Sequence, residues 1–290
     1  MPLPFEATRE DKSSEGKQKN VFIENRVATP FGGHNKIPIF AVLNEALIMF
    51  EAPIKNFSRN KAFPNWELKA VFFDMDGVLY DSMHMHARAW TQAMQDAGLA
   101  FDAQDCYLNE GRTGNATINN AIVQQWGREA TEEEKQSIYA SKSAYFNAQG
   151  PVRPMPFALE LLRLIRSEGK QIFVVTGSGQ RDLIDGLNRD FPDIFHPDRM
   201  VTAFDVKHGK PHPEPYLMAL GKSGLEPWQV LVVENAPLGV QSAAAAGLFC
   251  IGLNTGPLAP EVLSESGAQV VLDSMQSLYE HWHRLPADKS

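Results

Sequence analysis

The stretch Val71-Phe72-Phe73-Asp74-Met75-Asp76-Gly77 restricts the fold of this chain more than any other. An apolar run rich in β-branched and aromatic residues, Ala70 to Phe73, stops at two carboxylates one residue apart and then a glycine. That pattern reads as a buried strand ending in a tight turn. Side chains alternate along an extended chain, so Asp74 and Asp76 share a side. Two acids there call for a cation. In a parallel sheet the ligand crevice lies outside the strands' carboxyl ends, so the pair is placed for chemistry, one carboxylate to attack and the other to handle a proton. A plain turn and an N-cap would account for Asp76-Gly77 and Asp81-Ser82, but a turn does not need a second carboxylate beside a hydrophobic strand.

The rest of the chain supplies such a sheet. From Phe157 onward helical and strand patterns alternate, with strands expected at 171–175, 200–202, 230–233, 248–252 and 269–272 and helices at 179–189, 213–223, 237–246 and 258–266. This alternation specifies an α/β fold with a doubly wound parallel sheet. Residues 83–151 break the rhythm, with helical patterns at 83–97, 115–126 and 132–146 and no convincing strand. The block ends in Gly150-Pro151 and Pro154-Met155-Pro156, a hinge composition, and is expected to be an all-helical cap inserted after the first strand. The core is then 66–82 plus 152–290. Residues 1–65 are set apart as an N-terminal extension, partly disordered, because Arg9 to Asn20 is polar and charged.

A chain of 290 residues with 43% hydrophobic and 21% charged residues is long enough to bury a core of one large or two smaller domains. Its net charge of -8 argues against a nucleic-acid-binding face and leaves room only for a small, focused anion site. The apolar run 37–50 is interrupted by Asn44 and Glu45, too short to span a bilayer and too far from the N-terminus for a secretory signal. Cys106 and Cys250 have no CxxC spacing and are expected as free thiols, which places the protein in a reducing cytoplasm. It is expected to act as a monomer, with no nucleic acid or membrane partner.

Three further motifs follow the acidic one. Val174-Val175-Thr176-Gly177-Ser178-Gly179 ends the second strand with hydroxyls and glycines before a helix, a place where Thr176, Ser178 and backbone amides can meet a phosphate. Lys210, before the proline-punctuated turn Pro211-His212-Pro213, can project a point charge into the crevice, whereas Lys207 and the nearby histidines read as solvated loop residues. Glu234-Asn235 closes another apolar strand with the hard oxygen ligands that magnesium takes.

With these four motifs in order, the chain resembles the haloacid dehalogenase superfamily of phosphohydrolases, whose pattern Asp-x-Asp-Gly-x-Leu-x-Asp-Ser is matched at every fixed position from Asp74 to Ser82. The resemblance covers about residues 66 to 285. It implies phosphoryl transfer to Asp74 and hydrolysis of the aspartyl-phosphate, with Asp76 protonating the leaving oxygen and then activating water. Thr176 and Lys210 would hold the phosphoryl group. Mg2+ would be bound by Asp74, the Asp76 carbonyl and Asn235, with Glu234 orienting a metal-bound water. Relatives usually carry two acids where this chain has Glu234-Asn235, so its own charge at the metal is lower.

The cap is expected to select the substrate. His86-Ala87-Arg88-Ala89-Trp90 resembles the β-phosphoglucomutase branch, which implies that His86 reaches the site and assists proton transfer. In the loop Asn109-Glu110-Gly111-Arg112-Thr113-Gly114, Arg112 could clamp an anion and Glu110 could meet the metal; Lys142 is a further cap cation. Gly179 stands where sugar-phosphate mutases of this branch have a lysine. Together with Glu110 and Asn235 this resembles bacterial inorganic pyrophosphatases of the branch, so pyrophosphate is the preferred substrate expectation. A sugar-phosphate phosphatase or β-phosphoglucomutase is the alternative, and a catalytically weak binding or regulatory protein is a third reading, motivated by Asn235 alone.

Overall fold

The computed structural model describes residues 39–179 and 181–286. The chain forms two units, Met1–Leu47 and Ile48–Ser290. Of the first, the described residues begin helix α1 (Ile39–Asn60); the remainder of α1 and everything after it belongs to the second.

The second unit is built on a six-stranded, wholly parallel sheet of β1 (Ala70–Phe73), β2 (Gln171–Val175), β3 (Met200–Val201), β4 (Val230–Glu234), β5 (Phe249–Leu253) and β6 (Val270–Leu272), in the order β3-β2-β1-β4-β5-β6. The helices that cross between strands are α6 (Ala158–Ser167), α7 (Arg181–Asp190), α8 (Glu214–Ser223), α9 (Pro237–Ala245) and α10 (Pro260–Glu265), and α11 (Met275–His281) follows the last strand. Successive strand residues face opposite layers, as the two-residue period requires. Val71, Phe73, Ile172, Val174, Leu231 and Val233 enter one apolar cluster, while Ala70, Phe72, Phe173, Val175, Val230 and Val232 enter the other. Burial on both faces explains why these strands read as continuous apolar runs.

The core starts earlier than residue 66. Phe50, Ile54 and Phe57 recur at helical spacing on α1 and are buried in the larger cluster, with Phe57 edge-on to Phe249 at 5.4 Å. The expected boundary at residue 66 rests on the polar run Arg9 to Asn20, which lies outside the described residues and says nothing of the apolar stripe that follows it.

Between β1 and α6 lie four helices, α2 (Met83–Asp96), α3 (Ala103–Asn109), α4 (Gly114–Trp126) and α5 (Glu132–Asn147). They enclose their own apolar cluster, including Trp90, Met94, Phe101, Ile118, Ile122 and Ile138. The short α3 escaped the periodicity reading, but its Asp102/Asp105 capping box marks its start. The two chain segments that join cap to core run side by side: Asp81 N donates to Arg153 O at 3.0 Å and Met155 N to Leu79 O at 2.8 Å.

The strand order places the active end. Connections leave β1 toward β2 and β3, then return to β4 on its other side, so the carboxyl ends of β1 and β4 flank the point where the winding reverses.

Candidate active site

Register brings the acidic residues together. Phe73 pairs with Val233 on one side and Val174 on the other, so the next residues, Asp74, Glu234 and Val175, form a row across three strands. Lys210 enters this row from the loop before α8. Its Nζ donates to Asp74 Oδ1 at 2.5 Å, Glu234 Oε1 at 2.6 Å and the Val175 carbonyl at 2.8 Å, and the residue is fully buried. The ammonium is retained in its charged form because, against the cost of burial, two carboxylates surround it. Burial pushes the Asp74 carboxyl up to about 7; Lys210 opposes this, and Glu234 and Asp76 add to it.

Glu234 is the anchor of this group. Its Oε1 also accepts from the Tyr216 hydroxyl at 2.7 Å, and its Oε2 accepts from the Asn235 and Ala236 amides at 3.1 and 3.4 Å. Both oxygens are thus taken, which makes Glu234 a holder of Lys210 in this geometry rather than a free metal-side acid.

Asp76 sits two residues on, in the turn that Gly77 makes at φ 79°. A side chain at 77 would also lie 2.1 Å from Asn235 Nδ2, so only glycine lets the turn and Asn235 approach each other. Asp76 Oδ1 accepts from Ser82 Oγ at 2.6 Å and pairs with His86 Nε2 at 2.9 Å. Although burial raises the carboxyl, His86, Ser82 and Lys142 bring it down to about 2. Burial and then Lys142 push the His86 imidazole below its ordinary value, so in the neutral tautomer Nε2 carries the proton and donates it to the Asp76 carboxylate.

Thr176 and Asn235 complete the core side of the site. Thr176 is buried at the end of β2, and its Oγ1 accepts from the Ser178 amide at 2.9 Å. Asn235 follows β4 with its Oδ1 buried and without any hydrogen-bond partner among the described residues. A buried amide oxygen costs free energy when left unpaired. Beside Asp74 and Asp76, it has the chemistry of a vacant lone pair for a hard cation, so the donor set fits Mg2+.

The cap covers this end of the sheet. Asp76, His86, Glu110, Arg112, Lys142 and Ser178 line one narrow cleft. The buried Lys142 ammonium lies 5.0 Å from the Phe146 ring centre, 5.4 Å from Trp90 and 5.7 Å from Tyr139. Burial lowers its pKa to about 8, opposed by Asp76, Glu110 and Cys106. Glu110, at the end of α3, has its carboxyl raised well above the ordinary range by burial and then by Asp76 and Asp74. Arg112 Nε donates to Asn109 Oδ1 at 3.2 Å, which leaves the guanidinium edge toward the cleft.

The family model for the haloacid dehalogenase-like hydrolases matches residues 68–247, which include all four motifs. The chain belongs to this family. A solved structure titled putative β-phosphoglucomutase from Bacteroides vulgatus is 49% identical, with a TM-score of 0.79, over 82% of this chain and 96% of that one. The validoxylamine A 7'-phosphate phosphatase of Streptomyces hygroscopicus subsp. limoneus is 32% identical, covering 64% of this chain and 86% of that protein. Hexitol phosphatase A of Escherichia coli is 29% identical, covering 72% and 93%.

In this haloacid dehalogenase-like hydrolase the sequence reading missed the residues that hold others in place. Ser82 enters the sequence reading only as the last position of the acidic motif, with an N-cap as the plain alternative; its hydroxyl goes to Asp76, and α2 has no side-chain cap. Tyr216 carried no signal, since one tyrosine on an amphipathic helix looks like core. Tyr139, Lys142 and Phe146 do share a helix face, so their spacing could have flagged an enclosed lysine. His208 and His212 are exposed, as expected; His208 Nδ1 and Glu214 Oε2 lie 2.8 Å apart, and His212 Nδ1 accepts from the Glu214 amide, a pairing that fastens the loop carrying Lys210.

Proposed function

We propose that this chain is a Mg2+-dependent phosphohydrolase that cleaves the phosphate ester of a small carbohydrate or polyol through an aspartyl-phosphate on Asp74. The observation that carries the reading is the Asp74 carboxylate at the switch point, gripped by Lys210 on one oxygen, with the orphan Oδ1 of Asn235 at the end of the neighbouring strand. Asp74 Oδ2 accepts no hydrogen bond among the described residues, so it is the oxygen placed to attack. Its bond to phosphorus forms as the ester bond to the leaving oxygen breaks. Asp76, whose carboxylate form His86, Ser82 and Lys142 favour before substrate enters, must take up a proton to act as the acid; it gives that proton to the leaving oxygen, then takes one from water as the water attacks phosphorus and frees Asp74. Asp74, the Asp76 carbonyl and Asn235 would hold Mg2+, which supplies charge neutralisation for the phosphoryl oxygens. Thr176 and Lys210 grip those oxygens from the core, while Arg112 and Lys142 contribute positive charge from the cap.

The names of the relatives support an organic phosphate. Two of those described above act, by name, on validoxylamine A 7'-phosphate and on hexitol phosphates. Pyrophosphate is the second reading, and Glu110 favours it. Burial and the charges of Asp76 and Asp74 oppose ionisation of this third carboxyl group, and a small substrate that brings its own divalent cation would relieve that opposition. Phosphate release from hexose, hexitol and glycerol phosphates and from pyrophosphate, in the intact protein and in Glu110→Ala, separates the two. An organic-phosphate enzyme keeps its leading ester activity within about threefold when Glu110 is removed. Pyrophosphate as the leading substrate, with a loss of more than tenfold in Glu110→Ala, would replace the first reading by the second.

A further inference from the structure

One cap side chain fills the place of two missing core and cap side chains. A Cβ built on Gly114, at the start of α4, would lie 2.2 and 2.3 Å from ring carbons of Tyr139; one on Gly179, in the loop after β2, would lie 2.7 Å from the Tyr139 hydroxyl. The two glycines therefore form a slot for a single phenol carried by α5. The hydroxyl therefore lies against the Gly179 backbone, beside its amide. The ring has cap neighbours as well: its centre lies 6.1 Å from that of Trp90 and 5.7 Å from the Lys142 ammonium. Tyr139, Gly114, Gly177 and Gly179 all line the substrate cleft.

We infer that Tyr139 is a specificity-determining residue. Its hydroxyl docks on Gly179 when the cap covers the core, walls off the leaving-group end of the cleft with a neutral group, and restricts turnover to small leaving groups. The inference rests on the phosphohydrolase reading. It also explains Gly179 differently from the sequence alone. A side chain at 179 is excluded because a phenol already occupies its position, so the missing lysine reports how the cap seats as well as how charge is distributed. Burial and the nearby Asp76 keep the phenol protonated, so the wall stays uncharged.

The test uses kcat/KM for glycerol phosphate and for a hexose phosphate in the wild type, Tyr139→Phe, Tyr139→Ala, Gly179→Ala and the double variant Tyr139→Ala/Gly179→Ala. Removing the ring should raise the hexose-to-glycerol ratio at least tenfold. Gly179→Ala should cost tenfold or more alone but less than threefold once the ring is gone. Exchange of the Gly179 amide with solvent should be at least tenfold faster in Tyr139→Phe, a variant that keeps the packing if Tyr139→Ala does not fold. An unchanged ratio, or the same Gly179→Ala cost in both backgrounds, overturns the inference. A wild type inactive on every phosphate overturns the function, and faster amide exchange in Tyr139→Phe would then still uphold the docking contact.

Discussion

At the scale of single residues, the site works by holding charges where burial alone would expel them. Lys142 shows this with a definite sign. Its folded pKa of about 8 lies below the ordinary 10.5, so the unfolded chain binds more protons over that interval. Its burial costs stability below pH 8, and the cost fades as pH rises toward 10.5. Activity should move the other way: if the charged ammonium helps hold the substrate phosphate, kcat/KM falls by about tenfold per pH unit above 8. Lys142→Met should flatten that limb and lower kcat/KM about 10- to 100-fold at pH 7, in line with the loss of one hydrogen bond to a charged group. A pH–rate profile of both proteins checks it. Asp74, Thr176, Glu234 and Asn235 were legible at strand ends, where a polar group after an apolar run is conspicuous, whereas Lys210 and the cap residues His86, Glu110, Arg112 and Lys142 came from loop composition and the family resemblance. Ser82 and Tyr216 were not legible, because a hydroxyl that bonds a buried carboxylate has the same local pattern as a cap or a core residue.

At the scale of elements, the parallel strands were legible because both of their faces are apolar, and the cap because helical periodicity persisted without a strand. Helix α1 and its place against the sheet were not, since its stripe of Phe50, Ile54 and Phe57 finds its partner, Phe249, nearly the length of the core away in sequence. The contact between cap loop and core loop was equally hidden. A Cβ on Gly177 would meet the Gly111 carbonyl at 2.2 Å, and one on Gly209 would meet Thr113 at 2.8 Å, so two core loops are bare where the cap loop lies. Gly177→Ala should therefore lift the loop carrying Glu110 and Arg112 by about 1 Å and lower kcat/KM by about 100-fold. Gly177 has an ordinary φ, so Tm should stay within a few degrees, as a thermal melt beside the kinetics would show.

At the scale of the whole second unit, one sheet supports two apolar layers and a separately packed cap, and residues 50–57 of α1 close the larger layer. Phe57→Ala should cost about 3–5 kcal/mol and lower Tm by roughly 6–15 °C, because the edge-on contact with Phe249 is lost and the cavity cannot collapse. The same variant should leave KM unchanged while it remains folded, as Phe57 lies in the core cluster and not in the cleft. The central claim concerns the row of Asp74, Lys210 and Glu234 that the sheet register assembles. Mg2+-dependent phosphate release by the intact protein and by Asp74→Asn tests it most directly. The account predicts saturable release from at least one small phosphate in the intact protein and a loss of at least about 1,000-fold in the variant, as befits a nucleophile. Release that survives in Asp74→Asn would contradict it.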